Sequence, residues 1–345
     1  MVKHIHMRNK KFIYSILILI FVNLSILSNA QQREVVAERG DGIYTLLTRY
    51  GLSYSKYNDA FIELNKNKLG RDNTLLVGVK YLLPDTNETS TDARPATSAV
   101  TVKTFDIFGS AYKNVEIIGN ELNGAVYYLV SGHGGPDPGA VGKYGNDMLC
   151  EDEYAYDVTL RLARNLIQHG ATVYMIVIDP NDGIRDDSIL KPDKDEVCYP
   201  NLEIPLNQLK RLRQRVDAVN NLYNKNRNAF QRMISIHVDS RSRGENIDVF
   251  FYHDKRSNTG EKAAKILQKT FQDKYNANQP GRGYKGTVVM RDLYELRNSY
   301  PVAVFIELGN INHQRDQQRF IIANNRQALA NWLLQGLITD FQTNK

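Results

Sequence analysis

The chain has 345 residues, a formal net charge of +6 and 42% hydrophobic residues. That is enough apolar material for one large domain and a smaller one. The charge excess is modest, and no helix-turn-helix, RNA-binding or zinc-finger pattern accompanies it, so a nucleic-acid partner is not expected.

The N-terminus reads Met1-Val2-Lys3-His4, then Arg8, Lys10 and Lys11, then the apolar run Phe12–Leu27 and the small-residue end Ser28-Asn29-Ala30. A basic head, an apolar middle and a small-x-small end predict a secretory signal peptide over 1–30, cleaved after Ala30. The apolar run falls short of the ~20 residues of a spanning helix, and no cysteine follows it to mark a lipoprotein. Export to the periplasm or cell wall of a bacterium is the expectation. In an oxidising compartment Cys150 and Cys198, the only two cysteines, are expected to form a disulfide.

Residues 34–84 read as a small unit. Val35-Val36-Ala37 predicts a strand, Ile43–Tyr50 a helix broken by Gly51-Leu52-Ser53, Tyr57–Asn65 a second helix, and Leu75–Pro84 a closing strand. The β-α-α-β order, with Gly40-Asp41, Ile43, Leu46, Asn65, Asn73, Leu76, Gly78, Tyr81 and Leu82-Leu83-Pro84, resembles the LysM carbohydrate-binding module. That resemblance implies binding to N-acetylglucosamine-containing glycans. The Asp-, Thr-, Ser- and Ala-rich stretch that follows has linker composition, and the linker is taken as 85–114 with the main domain over 115–345.

From Val126 onward strands and helices alternate. Strands are predicted at Val126–Val130, Ala171–Ile178, Arg232–Ile236, Ile247–His253 and Val302–Ile306. Helices are predicted at Glu153–His169, Leu206–Lys225, Ser257–Tyr275 and over most of Gln314–Gln342. The expected fold is α/β, a mixed, mostly parallel sheet flanked by helices. Asp179–Pro205 reads as polar and irregular.

The chemistry-bearing residues cluster at strand ends. His133 lies in Ser131-Gly132-His133-Gly134-Gly135-Pro136-Asp137, directly after the first long strand, and His237 ends another. Flanking glycines let the backbone come close to a metal or substrate. Asp137 is placed to orient His133, or simply to cap the turn. Glu151 and Glu153 both stand at a helix start, where the dipole alone favours carboxylates. Two histidines and a carboxylate are a common ligand set for a catalytic zinc with its fourth position open. His169, His253 and His313 are the competing histidines. Glu307 follows four apolar residues, so its pKa should rise toward neutrality, which suits a general base. A buried ion pair is the alternative.

Taken together, these motifs resemble the type 3 family of zinc-dependent N-acetylmuramoyl-L-alanine amidases. The family's His-Gly-Gly-x-Asp-x-Gly-Ala segment is matched at His133–Ala140. Its helix-opening Glu, counted back from Leu160-Arg161-Leu162 and Gly170, falls on Glu151. Its Arg-x-x-x-x-Asn is matched at Arg215 and Asn220. Its Ser-x-His-x-Asn corresponds to Ser235–Asp239, with Asp239 in place of Asn, and its final acidic motif to Glu307–His313, with Asn310 in place of Phe.

The resemblance implies one Zn2+ held by His133, Glu151 and His237, and Glu307 as the catalytic acid/base. It implies Asp137, Arg215, Asn220 and Asp239 around them, and peptidoglycan as substrate. A monomer is expected, with a protein activator as a further partner. Another zinc peptidase of the cell wall, or a non-catalytic peptidoglycan-binding protein, are the rival readings. Asp179–Pro205 is longer than the family's usual connection. It carries Asp186, Asp187, Asp193, Asp195, Glu196 and Glu203, any of which is placed in the sequence to gate the site, the other reading being a solvated loop.

Overall fold

The computed structural model describes residues 33–37, 41–43, 46–47, 50, 52, 54–70, 73–85, 101–240 and 248–345. The expected signal peptide and half of the expected linker, residues 86–100, lie outside these residues. The chain divides into two compact units, Met1–Ala93 and Arg94–Lys345. Among the described residues no helix is long and apolar enough to cross a membrane.

In the first unit, strand β1 (Glu34–Val36) pairs antiparallel with β2 (Lys80–Leu82), and helix α1 (Tyr54–Asn65) lies between them in sequence. Val35, Leu46, Leu47, Phe61 and Tyr81 form its core. Asn65 is buried and spans the helix end and β2. Its amide donates to the Phe61 and Leu82 carbonyls, and its Oδ1 accepts from the Leu82 N–H at 2.8 Å. A polar side chain this deep is tolerated because each of these groups finds a partner.

The second unit begins earlier than the sequence suggested. A hairpin of β3 (Val102–Thr104) and β4 (Asn114–Glu116) occupies the end of the expected linker. Three-residue strands leave too little alternation to detect. The chain then forms β5 (Ala125–Ser131), β6 (Val141–Tyr144), β7 (Asp147–Cys150), α2 (Glu151–Gln168), β8 (Thr172–Met175), β9 (Val177–Ile178), β10 (Val197–Cys198) and β11 (Leu202–Glu203). It continues with α3 (Gln208–Lys225), β12 (Phe230–Asp239), β13 (Phe250–His253), α4 (Asn258–Asn278), β14 (Val288–Met290) and α5 (Tyr294–Asn298). The last elements are β15 (Val302–Asn310), α6 (Gln314–Ile321) and α7 (Ala323–Asn344).

The main sheet has six strands in the order β14-β13-β15-β12-β5-β8. Strands β8, β5, β12 and β15 are parallel, and β13 joins β15 antiparallel, so the sheet is mixed and mostly parallel, as the alternation implied. Its two faces are read directly from period-two alternation. Tyr127, Leu129, Ile234, Ile236, Val304 and Ile306 enter the core shared with α2, α4 and α7. Val126, Tyr128, Val130, Met233, Ala303 and Phe305 enter the smaller core under α3 and α5. With both faces covered, every residue of β5 is buried.

Two expectations are corrected here. Asp179–Pro205 is not simply irregular, because β9, β10 and β11 form a small antiparallel sheet within and beside it. Cys150 and Cys198 are free thiols, both buried. They belong to different layers. Cys198 packs in the core under α3, whereas Cys150 closes the β6–β7 hairpin at the head of α2, the helix that covers the other face. Burial pushes each thiol up to about 11, so neither is a reactive thiolate.

Candidate active site

Strand register assembles the site. His237 on β12 is paired with Glu307 on β15, and each follows, two residues on, a side chain of the smaller core or its lining, so both project to the α3/α5 side of the sheet. His133 lies just past the end of neighbouring β5. Ligands in open α/β sheets gather at this carboxyl edge. The chain turns there with His133 at φ 63°, a left-handed conformation that is costly for a non-glycine residue and is typical of functional turns.

Glu151, the first residue of α2, reaches back to the same point. Its Oε2 lies 3.3 Å from His133 Nε2, and its Oε1 lies 2.9 Å from His237 Nδ1. The carboxylate also accepts the Ala140 N–H at 2.8 Å and the Val238 N–H at 3.0 Å, so four groups fix it. Glu153 is not part of this arrangement. It pairs with Arg185 at 2.7 Å and accepts the Asp193 N–H, which ties α2 to the 179–205 segment.

Two glycines make the close approach possible. A Cβ on Gly132 would lie 2.3 Å from His237 Nδ1, and one on Gly139 would lie 2.6 Å from both Glu151 Oε2 and His133 Cδ2. Asp137 Oδ2 faces His133 Nδ1 at 2.9 Å, which leaves Nε2 turned to the cluster. The Phe305 ring stacks on His237 at 4.1 Å between centroids and sets its plane.

The donor set fits a zinc ion. Tetrahedral ligands about 2.0–2.1 Å from zinc lie roughly 3.3 Å from one another, close to the separations seen between Glu151 and the two histidines. His237 Nε2 is buried without a hydrogen-bond partner among the described residues. Burial disfavours charge on His133, but the Asp137 and Glu151 carboxylates outweigh it and raise the imidazole to about 10. In turn, the imidazoles outweigh the burial of Glu151 and hold its carboxyl well below the usual range. The site therefore demands positive charge, and without a metal it takes a proton.

Glu307 is the other kind of carboxylate. Its Oε2 is buried without a hydrogen-bond partner among the described residues. Burial pushes its pKa well above the ordinary value, and the neighbouring Glu151 and Asp239 charges add to the shift. Together with His133, Glu151 and His237 it lines a cavity of about 490 Å³.

Arg215 lies in the cavity wall, where it donates to the His133 carbonyl and faces Glu295 at 3.9 Å. Asp239 lines the cavity as well. Asn220 is elsewhere. It donates to the Asn298 carbonyl and accepts the Tyr300 N–H at 2.8 Å, holding the loop before β15. The expectation that it lies around the site is corrected. None of the carboxylates of Asp179–Pro205 lines the cavity. Asp186 binds Arg161 at 2.9 Å, and Glu196 accepts the Gly135 N–H at 2.6 Å.

Three lining residues escaped the sequence reading. Arg211 binds Asp137 and lies one helical turn before Arg215, a spacing that could have suggested it. Glu295, which accepts from Ser235 Oγ at 2.6 Å, and Arg291 carry no local signal.

A mixed α/β sheet bearing two histidines, a carboxylate bridging them and a half-buried glutamate at its carboxyl edge defines the class as a hydrolase-like α/β protein with a metal-capable centre. A model of the N-acetylmuramoyl-L-alanine amidase family matches residues 128–339, and the chain belongs to that family.

Among solved structures it is similar to the amidase AmiC2 of Nostoc punctiforme, with 20% identity over 64% of this chain and 99% of that one and a TM-score of 0.46. It is similar to an amidase from Clostridium difficile 630, with 20% identity over 65% and 100% and a TM-score of 0.47. It is also similar to the catalytic domain of CwlV from Bacillus (Paenibacillus) polymyxa, with 20% identity over 64% and 99% and a TM-score of 0.45. No curated protein matches the chain.

Proposed function

We propose that this protein is an exported, zinc-dependent peptidoglycan hydrolase that cleaves the amide between N-acetylmuramic acid and the L-alanine of the stem peptide. The observation that carries the proposal is the pairing, in a chain of this family, of the Glu151-bridged histidines with Glu307, whose buried Oε2 has no hydrogen-bond partner among the described residues, across one cavity. His133, Glu151 and His237 would hold the zinc. When bound, zinc supplies Lewis acidity and lowers the pKa of water toward neutrality.

The chain's own residues then divide the work. Asp137 holds the His133 ring through Nδ1. Glu307 takes a proton from the attacking water and holds it on its carboxyl group, whose pKa burial pushes well above the ordinary carboxylate value. It then returns the proton to the departing L-alanine amine. The side chains on the α3/α5 face of the sheet keep bulk water from the buried oxygen of Glu307.

In this reading residues 1–30 direct export, the 34–84 unit binds glycan as a LysM-like module, and residues 115–345, with the β3–β4 hairpin that leads into them, carry the catalytic domain. Tethering the glycan would raise its effective concentration at the active site. The test is a digest of purified peptidoglycan by the zinc-loaded protein, read by mass spectrometry. Free stem peptides beginning at L-alanine are expected. Cuts within the stem would make it a peptidase, and an unchanged substrate with zinc bound would make it a binding protein.

A further inference from the structure

Three arginines line the cavity, and two are already committed. Arg211 binds the Asp137 carboxylate and donates to the Pro205 and Leu206 carbonyls. Arg215 is buried against the His133 carbonyl and Glu295. Arg291 differs, because it is exposed to the cavity and no carboxylate among the described residues pairs with it.

Nearby acids are taken. Asp292 binds Arg297, and Asp254 binds Arg256 at 2.8 Å. The Arg291 guanidinium instead lies 4.9 Å from the centre of the Tyr252 ring, while the backbone N–H of Arg291 donates to the His253 carbonyl at 3.0 Å. A cation resting on an aromatic face at the end of a strand has lost much of its rotamer freedom while keeping its donors unspent. Such a group is built to receive an anion.

Its location says which one. Arg291 follows β14, two strands out from β15, and the register of β13 with both strands sets its backbone about four residues along the sheet from Glu307 as well, so its side chain reaches back to the rim of the cavity that Glu307 also lines. In the stem peptide the residue after L-alanine is a D-glutamate linked through its side chain. Its α-carboxylate is left free, roughly two residue lengths, about 7 Å, from the scissile amide. Arg291 and Glu307 line the same cavity, within which an anion displaced by that length from the scissile amide can meet the guanidinium.

We propose that Arg291 binds this carboxylate and so makes the protein discriminate stems that carry it free from stems in which it is amidated. The inference rests on the amidase reading above.

The experiment compares N-acetylmuramoyl-L-alanyl-D-isoglutamate with its D-isoglutamine analogue on the zinc-loaded full chain. The free acid should be favoured about ten-fold in kcat/KM, through KM, since one charge-assisted hydrogen-bonded pair separates the two substrates. R291A should bring the ratio below two, and R291K should retain part of it. A wild-type ratio near one, or a ratio unchanged in R291A, overturns the proposal. So does R291A slowing both substrates alike with a displaced pH profile, because Arg291 would then act on Glu307 and not on the substrate.

Calorimetry on E307Q separates this proposal from the amidase reading. If neither compound is cleaved by the wild type, a ten-fold tighter Kd for the acid that disappears in E307Q/R291A still supports Arg291 as the anion site. Equal Kd values overturn it.

Discussion

Two carboxylates with buried oxygens in this protein have opposite surroundings. At the interface of α2 and α7, Asp157 is fully buried between Arg161 at 2.7 Å and Arg326 at 2.6 Å, and also accepts the Arg185 N–H. Burial works against its charge, but the two guanidiniums win and hold its pKa below the ordinary value. At the carboxyl edge of the sheet, Glu307 forms no such ion pair among the described residues, and burial pushes it the other way. The first arrangement is a structural fastener that joins two helices and, through Arg161 and Arg326, the 185–187 loop. The second is kept costly, as groups that must exchange protons are. Burial alone therefore distinguishes nothing here, and the presence of a countercharge does.

The comparison can be broken at several points. The largest effect is expected where the metal cluster is dismantled. H133A and H237A should each fall to background activity and lose zinc on dialysis, measured by elemental analysis. Retention of stoichiometric zinc in either would remove that residue from the ligand set. E307Q should keep its zinc yet lose activity by roughly 10²–10⁴. Loss of zinc along with activity would place Glu307 among the ligands instead.

D157N removes the countercharge from two buried guanidiniums and should cost about 3–5 kcal/mol in denaturant unfolding, with zinc content unchanged. A cost under about 1 kcal/mol would mean that the fastener is dispensable.

The signs of the two shifts make a sharper test in metal-free protein. Asp157 has a depressed folded pKa, so its contribution is present above the unfolded value near 3.9 and is lost as the pH falls toward the folded one. Glu307 has a raised folded pKa, so its burial carries no penalty below about pH 4.3 and the full penalty once the pH exceeds the folded value. At pH 8, then, E307Q should melt above the wild type and D157N below it, and the E307Q advantage should vanish by pH 4. Parallel behaviour of the two variants would dissolve the distinction. N220A should show the smallest effect, about 1 kcal/mol of stability from its two loop hydrogen bonds, with KM unchanged. A raised KM would return Asn220 to the substrate site.

Much of the site was legible because the sheet is regular. A residue at the end of an apolar strand must emerge at the sheet's edge, so His133, His237 and Glu307 were visible as strand-end polar groups, and pairing brought His237 opposite Glu307. Glu151 and Glu153 both stand at the helix start and were separated only by the family pattern, and in the structure Glu153 pairs with Arg185 instead. Asn220 was misplaced because sequence fixes its position on a helix but not the loop that helix meets. The cysteines were misjudged because parity and compartment say nothing about which face of the sheet each residue occupies. Two- and three-residue strands such as β3, β9, β10 and β11 carry no readable period, so the structure of the 179–205 segment was hidden. Arg291 and Glu295 come from a strand end and a five-residue helix with no motif of their own.

Gly132 and Gly139 carry no chemistry, yet the cluster is moulded on them. At either position the smallest possible change, a single methyl, would arrive within 2.6 Å of a side chain proposed to hold the metal. The neighbourhood is already fastened by the Ala140 and Val238 amides on Glu151 and by Phe305 on His237. With nothing free to yield, a substitution there would displace the ligands and leave the surrounding fold in place. These positions behave like the empty volume of a casting mould, and drift along this stretch of chain is blocked most firmly where there is least to mutate.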